Sequence, residues 1–218
     1  VLLYRDQFKT IAELSETELR LAGLRINPVT NIGSRTRYYN KVELQRVGKK
    51  KTVIIEGLPD QYRVSNIEWS PDESKVAFTN TTEKGVELWV LDVASASARK
   101  ISEDNLNANM GQPYVWQPDG SGFLVKVLPD DRQPLIDKTA AIPTGPRVSV
   151  NEAGIKAQNR TYQDLLKDKA DEANFEQLVR SRLVQIDLEG NQGIWKEVGM
   201  YRSMEFSPDG NYVMLSTI

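Results

Sequence analysis

One short pattern recurs three times along this chain and limits what it can fold into. Ile67-Glu68-Trp69-Ser70-Pro71-Asp72, Tyr114-Val115-Trp116-Gln117-Pro118-Asp119-Gly120 and Met204-Glu205-Phe206-Ser207-Pro208-Asp209-Gly210 each set an alternating stretch ahead of Pro-Asp. A β-rich run follows each, at 75–78, 123–127 and 212–215. Pro presets φ near −65°, Asp bonds its own nearby backbone, and Gly accepts φ > 0, so each pattern reads as strand, tight turn, strand. Trp69 and Trp116 stand 47 positions apart, and Trp116 and Phe206 stand 90 apart. A period in the forties with four strands per unit is that of a propeller blade.

The first unit continues with a third strand over 86–93 and a fourth near 99–102. In the second unit the third strand comes late, over 182–188, and a Glu189-Gly190-Asn191 turn leads to a fourth at 194–198. The spacing of 90 is therefore one unit carrying an insertion. The insertion starts irregularly, with Ile142-Pro143-Thr144-Gly145-Pro146 breaking regular structure. Two short helices are expected after it, at about 162–168 and 171–180.

The ends read as partial units. Residues 41–47 and 52–55 form a hairpin around Gly48-Lys49, like the outer half of a blade, and 204–218 supply an inner half. Ahead of these, Ser15-Glu16-Thr17-Glu18 reads as a capping box, with Gly23 as the stop of a short helix. The fold class expected is all-β: a partial β-propeller of four-stranded antiparallel blades with a short helical insertion. The division is an N-terminal segment with a short helix at 1–40, blades at 41–133, the insertion at 134–181, and blades incomplete at the C-terminus at 182–218. The chain reads as the beginning of a larger propeller, and its lack of an initiator Met suggests processing or excision from something longer.

Composition excludes several chemistries. The 218 residues contain no His and no Cys. A Ser-His-Asp triad, a thiolate nucleophile and metal sites ligated by His or Cys are therefore absent from this sequence. Neither a catalytic residue, a metal nor a cofactor is expected. With 28 Lys and Arg against 30 Asp and Glu, the net charge is −2, which argues against a nucleic-acid partner or an anionic membrane surface. No apolar run approaches the ~18 residues of a membrane span. At 39% hydrophobic, a chain this long can bury a core without a staple.

Most polar candidates have plain readings. Asp72, Asp119 and Asp209 sit at the turn position of each unit. Asp130-Asp131 lacks the spacing of further oxygen ligands for calcium. Trp69, Trp116 and Phe206 share one position and are expected in the core between blades. Lys49-Lys50-Lys51 is a charged hairpin tip. Asn80-Thr81-Thr82 and Asn159-Arg160-Thr161 match the glycosylation pattern. Arg35 and Arg37, beside Tyr38 and Tyr39, could clamp a carboxylate with a bidentate guanidinium, or could be solvated or ion-paired side chains. Arg160 carries the same two readings: contact with substrate or a further domain, or anchorage of the insertion.

Several segments are more specific than the blades. Leu21-Ala22-Gly23-Leu24-Arg25-Ile26, Ser34-Arg35-Thr36-Arg37-Tyr38-Tyr39, Pro143-Thr144-Gly145-Pro146 and Arg160-Thr161-Tyr162-Gln163-Asp164-Leu165-Leu166-Lys167 resemble the glutamyl endopeptidase branch of the prolyl-oligopeptidase family of serine peptidases. The resemblance implies a β-propeller preceding a C-terminal α/β-hydrolase domain that holds the catalytic Ser, Asp and His. It implies that the propeller covers the active site and restricts substrates to peptides. The chain has no Gly-x-Ser-x-Gly elbow, so it matches the accessory part only. The implied partners are that hydrolase domain and a peptide substrate. A bacterial source and a periplasmic or secreted location go with the resemblance. A stand-alone protein-binding propeller of the TolB type is the alternative, and propeller-fold polysaccharide lyases lack support here. A homodimer is a further expectation, formed if the two half-blades exchange across their unpaired edges.

Overall fold

The computed structural model describes residues 1–4, 10–138 and 164–218. In chain order the elements begin with β1 (Leu2–Tyr4), α1 (Ile11–Leu14), β2 (Leu19–Leu21), β3 (Leu24–Asn27), β4 (Ile32–Gly33), β5 (Lys41–Gln45) and β6 (Thr52–Ile54). Next come β7 (Val64–Trp69), β8 (Lys75–Thr81), β9 (Val86–Asp92) and β10 (Ser97–Lys100), which form an antiparallel sheet in order β10-β9-β8-β7. Then β11 (Tyr114–Trp116) and β12 (Gly122–Val127) precede α2 (Lys169–Val179), β13 (Ser181–Asp187) and β14 (Gln192–Gly199). These four strands make a second antiparallel sheet in order β11-β12-β13-β14. Finally β15 (Tyr201–Phe206) and β16 (Val213–Thr217) pair as a hairpin. The described chain is thus mostly β, with α2 inserted between the second and third strands of the second sheet.

The recurring pattern closes three turns of one kind. Ser70, Gln117 and Ser207 each donate their backbone N–H to the carbonyl five residues on, of Lys75, Gly122 and Tyr212, at 2.8–2.9 Å. The residue two past each Pro takes a positive φ: Glu73 at 59°, Gly120 at 71° and Gly210 at 72°. Glu73 thus occupies a glycine position, which costs the first turn conformational energy that the other two avoid. The Asp carboxylates serve these turns. Asp72 accepts from the Ser70 and Ser74 hydroxyls, Asp119 from the Ser121 N–H and hydroxyl, and Asp209 from Ser207 and Asn211. These donors lower all three carboxyls, Asp209 to about 2.

The two four-stranded sheets pack face to face through alternate residues. Ala77, Leu88 and Val90 of the first share a core with Trp116, Phe123, Val125 and Ile186 of the second. The Phe123 ring lies 4.1 Å from that of Trp116 and meets Tyr114 edge-on at 5.7 Å. The opposite face of the second sheet, carrying Leu124 and Leu183, packs on Tyr201 and Met204 of the C-terminal hairpin. A sheet covered on both faces explains why β12 is buried at all six positions. Lys126, on the Leu124 side of that strand, is 1% exposed and donates to the Met110 carbonyl.

Four readings of the sequence change. The N-terminal helix lies at Ile11–Leu14, capped by a Thr10–Glu13 box, and Ser15 follows it rather than starting it. Gly23 ends no helix: Ala22 at φ 50° and Gly23 at φ 80° form the turn of the β2–β3 hairpin, since two successive positive φ angles suit a two-residue hairpin loop. The edge of β5 is not free, because β1 pairs along it from Leu2↔Glu43 to Tyr4↔Lys41. This removes one of the two open edges that a half-blade exchange requires. Trp69 is 46% exposed, whereas Trp116 is 6% exposed, so the shared repeat position is not uniformly core. A register shift between Ser65 and Glu68 precedes Trp69, and its side chain borders a shallow cleft of about 290 Å³ with Pro71, Trp116 and Phe206.

In the insertion, Asp164–Asp168 are non-helical, so the helix expected at 162–168 does not form over these residues, and only 162 and 163 of that span lie outside the described residues. The second expected helix is α2, started by the Asp168 carboxylate accepting from the Asp171 N–H. Its last turn is held by Asn107 and Asn109, whose side-chain amides both donate to the Leu178 carbonyl. Asp130 and Asp131 bind just beyond that same end, Asp130 to Arg182 at 2.6 Å and Asp131 to Arg180 at 3.1 Å. The Asp pair thus serves as an ion-pair latch across the base of the insertion.

Candidate functional site

The β2–β3 hairpin alternates by the strand rule. Leu21 and Ile26 turn inward onto Leu178 of α2, with Phe175 packed alongside. Arg20 and Arg25, between these apolar positions, occupy the other face and are direct cross-strand partners. Like charges so placed repel, and Glu18 relieves them. Its Oε1 lies 2.9 Å from Arg20 Nε and 3.8 Å from Arg25 Nη1. Its Oε2 accepts from Arg35 Nε at 2.9 Å and from the Ser34 hydroxyl at 2.6 Å. Those donors, Ser34 and Arg35 foremost, pull the Glu18 carboxyl down to about 2. Arg25 reaches a second carboxylate, Asp164 Oδ2, at 3.3 Å.

The result is a patch of three guanidinium groups around two carboxylates, with one positive charge in excess. The Arg35 side chain is 64% exposed, and it meets Glu18 through Nε. Its Nη edge is therefore left for a second carboxylate, and a fork of this kind binds one bidentately. Of the candidates read from sequence, Arg35 belongs to this patch. Arg37 is exposed two residues on. Arg160 lies outside the described residues, as do Pro143–Pro146 and the Asn159 glycosylation pattern. Asn80 is 4% exposed and donates to Glu87 Oε2, so it is not presented for glycosylation. Glu18, Arg20 and Arg25 were missed as site residues because the segment reads as a helix start. The signal was present in the apolar–Arg–apolar alternation on both sides of Ala22-Gly23.

No family model matches the chain. Over 99% of its length it is 32% identical to a protein named probable glutamyl endopeptidase, chloroplastic, of Oryza sativa subsp. japonica. It is equally similar, at 32% over 99%, to a protein of the same name from Arabidopsis thaliana. The chain spans 24% and 23% of the length of these two relatives. Both are plant proteins, and they lend no support to a bacterial source. Among solved structures, TolB from Acinetobacter baumannii is similar with a TM-score of 0.33 and 16% identity, covering 87% of this chain and 45% of that one.

Proposed function

Taking as premise a chain related to the glutamyl endopeptidases over nearly all of its own length and about a quarter of theirs, we propose that it is a non-catalytic β-propeller portion of a serine peptidase. In this reading residues 41–133 and 182–218 are blades, 134–181 an insertion within one blade, and 1–40 an N-terminal segment. The blades stand over a catalytic α/β-hydrolase domain of the parent protein and limit which peptides reach it. The observation that carries the reading is the tandem pair of four-stranded antiparallel sheets, each built on the same strand–turn–strand pattern. Four-stranded sheets packed face to face in succession are the building units of a propeller. The arginine patch supplies a role in selection: Arg35, with Arg37 near it, engages carboxylate groups of an acidic peptide.

In this reading the Ser-His-Asp triad lies elsewhere in the parent protein, which fits a sequence without His or Cys. Treatment with a serine-reactive fluorophosphonate tests this. The chain alone stays unlabelled and releases nothing from glutamyl reporter peptides, whereas the longer parent is labelled at one Ser outside this region. Specific labelling of a Ser within residues 1–218 overturns the proposal.

A further inference from the structure

A cleft of about 1180 Å³ opens beside the arginine patch, with Glu16 and Thr17, which immediately precede Glu18, among its lining residues. Its walls are α1 with the residues after it up to Thr17, the β3–β4 connection, the segment leading into β7, and the β8–β9 turn. Five carboxylates and two cations line it. Both cations are already engaged. Arg63 bonds Glu16 at 3.1 Å and the carbonyls of Thr81 and Thr82 at 2.9 and 2.7 Å, while Lys100 lies between Glu87 and Glu103. Asp60 and Glu83 line the same cleft, with no ion pair among the described residues, so the cleft carries surplus negative charge.

Two further features point to a ligand. Thr30 and Thr81 line this cleft at 4% and 3% exposure, and among the described residues the hydroxyl of each has no hydrogen-bond partner. An unpartnered buried hydroxyl is costly, and each retains lone pairs that an N–H donor could use. The seating of Arg63 shows what kind of donor the wall accepts. Its guanidinium is held by a carboxylate and two carbonyls and lies 5.4 Å from the centre of the Tyr38 ring. Carboxylate, carbonyl and aromatic face together form a host for organic cations.

We propose that this cleft binds the cationic side chain, Arg or Lys, of a peptide, with Asp60 and Glu83 supplying the charge and Thr30 and Thr81 accepting hydrogen bonds. The site is opposite in sign to the arginine patch, so one peptide carrying both charges could engage the two regions in a fixed direction. The inference stands on the cleft alone and does not depend on the reading of the chain as part of a peptidase.

Calorimetric titration of the full chain tests it with acetylated, amidated pentapeptides of Gly carrying one central Arg, Lys, Gln or Glu. The Arg and Lys peptides bind at least about tenfold more tightly than the Gln peptide, as expected for a charge-assisted contact. The double variant Asp60→Asn, Glu83→Gln abolishes that preference, and both changes are at exposed positions, so a melting curve matching the parent chain's shows that folding is intact. Thr30→Val with Thr81→Val weakens the Arg peptide further. Free arginine binding as well as the Arg peptide shows a small-cation site and overturns the peptide assignment. Equal binding of the four peptides, no binding at millimolar concentration, or a preference that survives the double variant overturns the proposal outright.

Discussion

Arg20 and Arg25 stand directly opposite one another across the β2–β3 hairpin, and a single carboxylate oxygen of Glu18 lies within 3.8 Å of both. The hairpin therefore depends on Glu18 for its charge balance, and through Arg35 the same carboxylate orients the patch. Replacing Glu18 by Gln leaves three guanidinium groups facing one another with only Asp164 for relief. The expected loss is about 1–2 kcal/mol in urea unfolding at neutral pH. The pH dependence has a definite sign. Glu18 falls from an ordinary 4.5 to about 2 in the folded chain, so its contribution is present above about pH 4.5 and disappears as pH falls toward 2. The wild-type and Glu18→Gln stabilities thus converge by pH 2, whereas a constant gap would mean that Glu18 acts through packing.

Lys126 gives the opposite test. Its ammonium group is buried in β12, and burial lowers it from 10.5 to about 8. The unfolded chain keeps that proton up to about pH 10.5, while the folded chain sheds it from about pH 8. Stability from this residue therefore rises with pH between those values. Lys126→Met removes that slope and is no less stable than wild type at pH 7, because an apolar side chain of similar length fits without desolvating a charge. A marked loss of stability at pH 7 would show that the bond to the Met110 carbonyl outweighs burial.

The sequence carried the sheets better than the site. Pro-Asp turns and β-branched runs are local signals, and both four-stranded sheets follow from them strand by strand. The N-terminal hairpin was equally local, with Leu19, Leu21, Leu24 and Ile26 alternating around Ala22-Gly23, but the Ser15–Glu18 pattern competes for the same residues as a capping box. The arginine patch depends on contacts across 16 or 17 positions, such as Glu18 with Ser34 and Arg35, which no spacing rule shows. The edge of β5 was unreadable for the same reason, since its partner lies some forty residues earlier. Trp69 is half exposed where Trp116 is buried, a difference in what packs over each strand end that a shared repeat position does not record.

Gly111 joins the loop before β11 to the C-terminal hairpin. It has φ 64°, and a Cβ there would fall 2.2 Å from the Arg202 carbonyl oxygen. Gly111→Ala must strain the backbone and displace β15, at a cost of about 2–4 kcal/mol. Gly48→Ala has a similar φ, 78°, but nothing within 4 Å, and costs about 1–2 kcal/mol. Equal melting temperatures for the two variants would mean that the loop yields freely.

Arg35 separates charge from geometry. In the longer parent, Arg35→Lys keeps a cation beside Glu18 but loses the guanidinium fork, so KM for acidic peptides rises about tenfold with kcat unchanged. Arg35→Ala does the same and also frees Glu18, whose carboxyl then titrates higher. A neutral peptide of equal length is unaffected by either change. Loss of turnover for both peptides would instead mark Arg35 as a structural residue.

The proposal that this region limits access to a catalytic domain is tested most directly by peptide length. The parent protein is given a graded series of peptides sharing one acidic cleavage site, ending with the same site in an exposed loop of a folded protein, and kcat/KM is measured for each. The account predicts a steep fall beyond a short length, by tenfold or more, and no cleavage of the folded protein. A kcat/KM that stays level from the shortest peptide to the folded protein would contradict it.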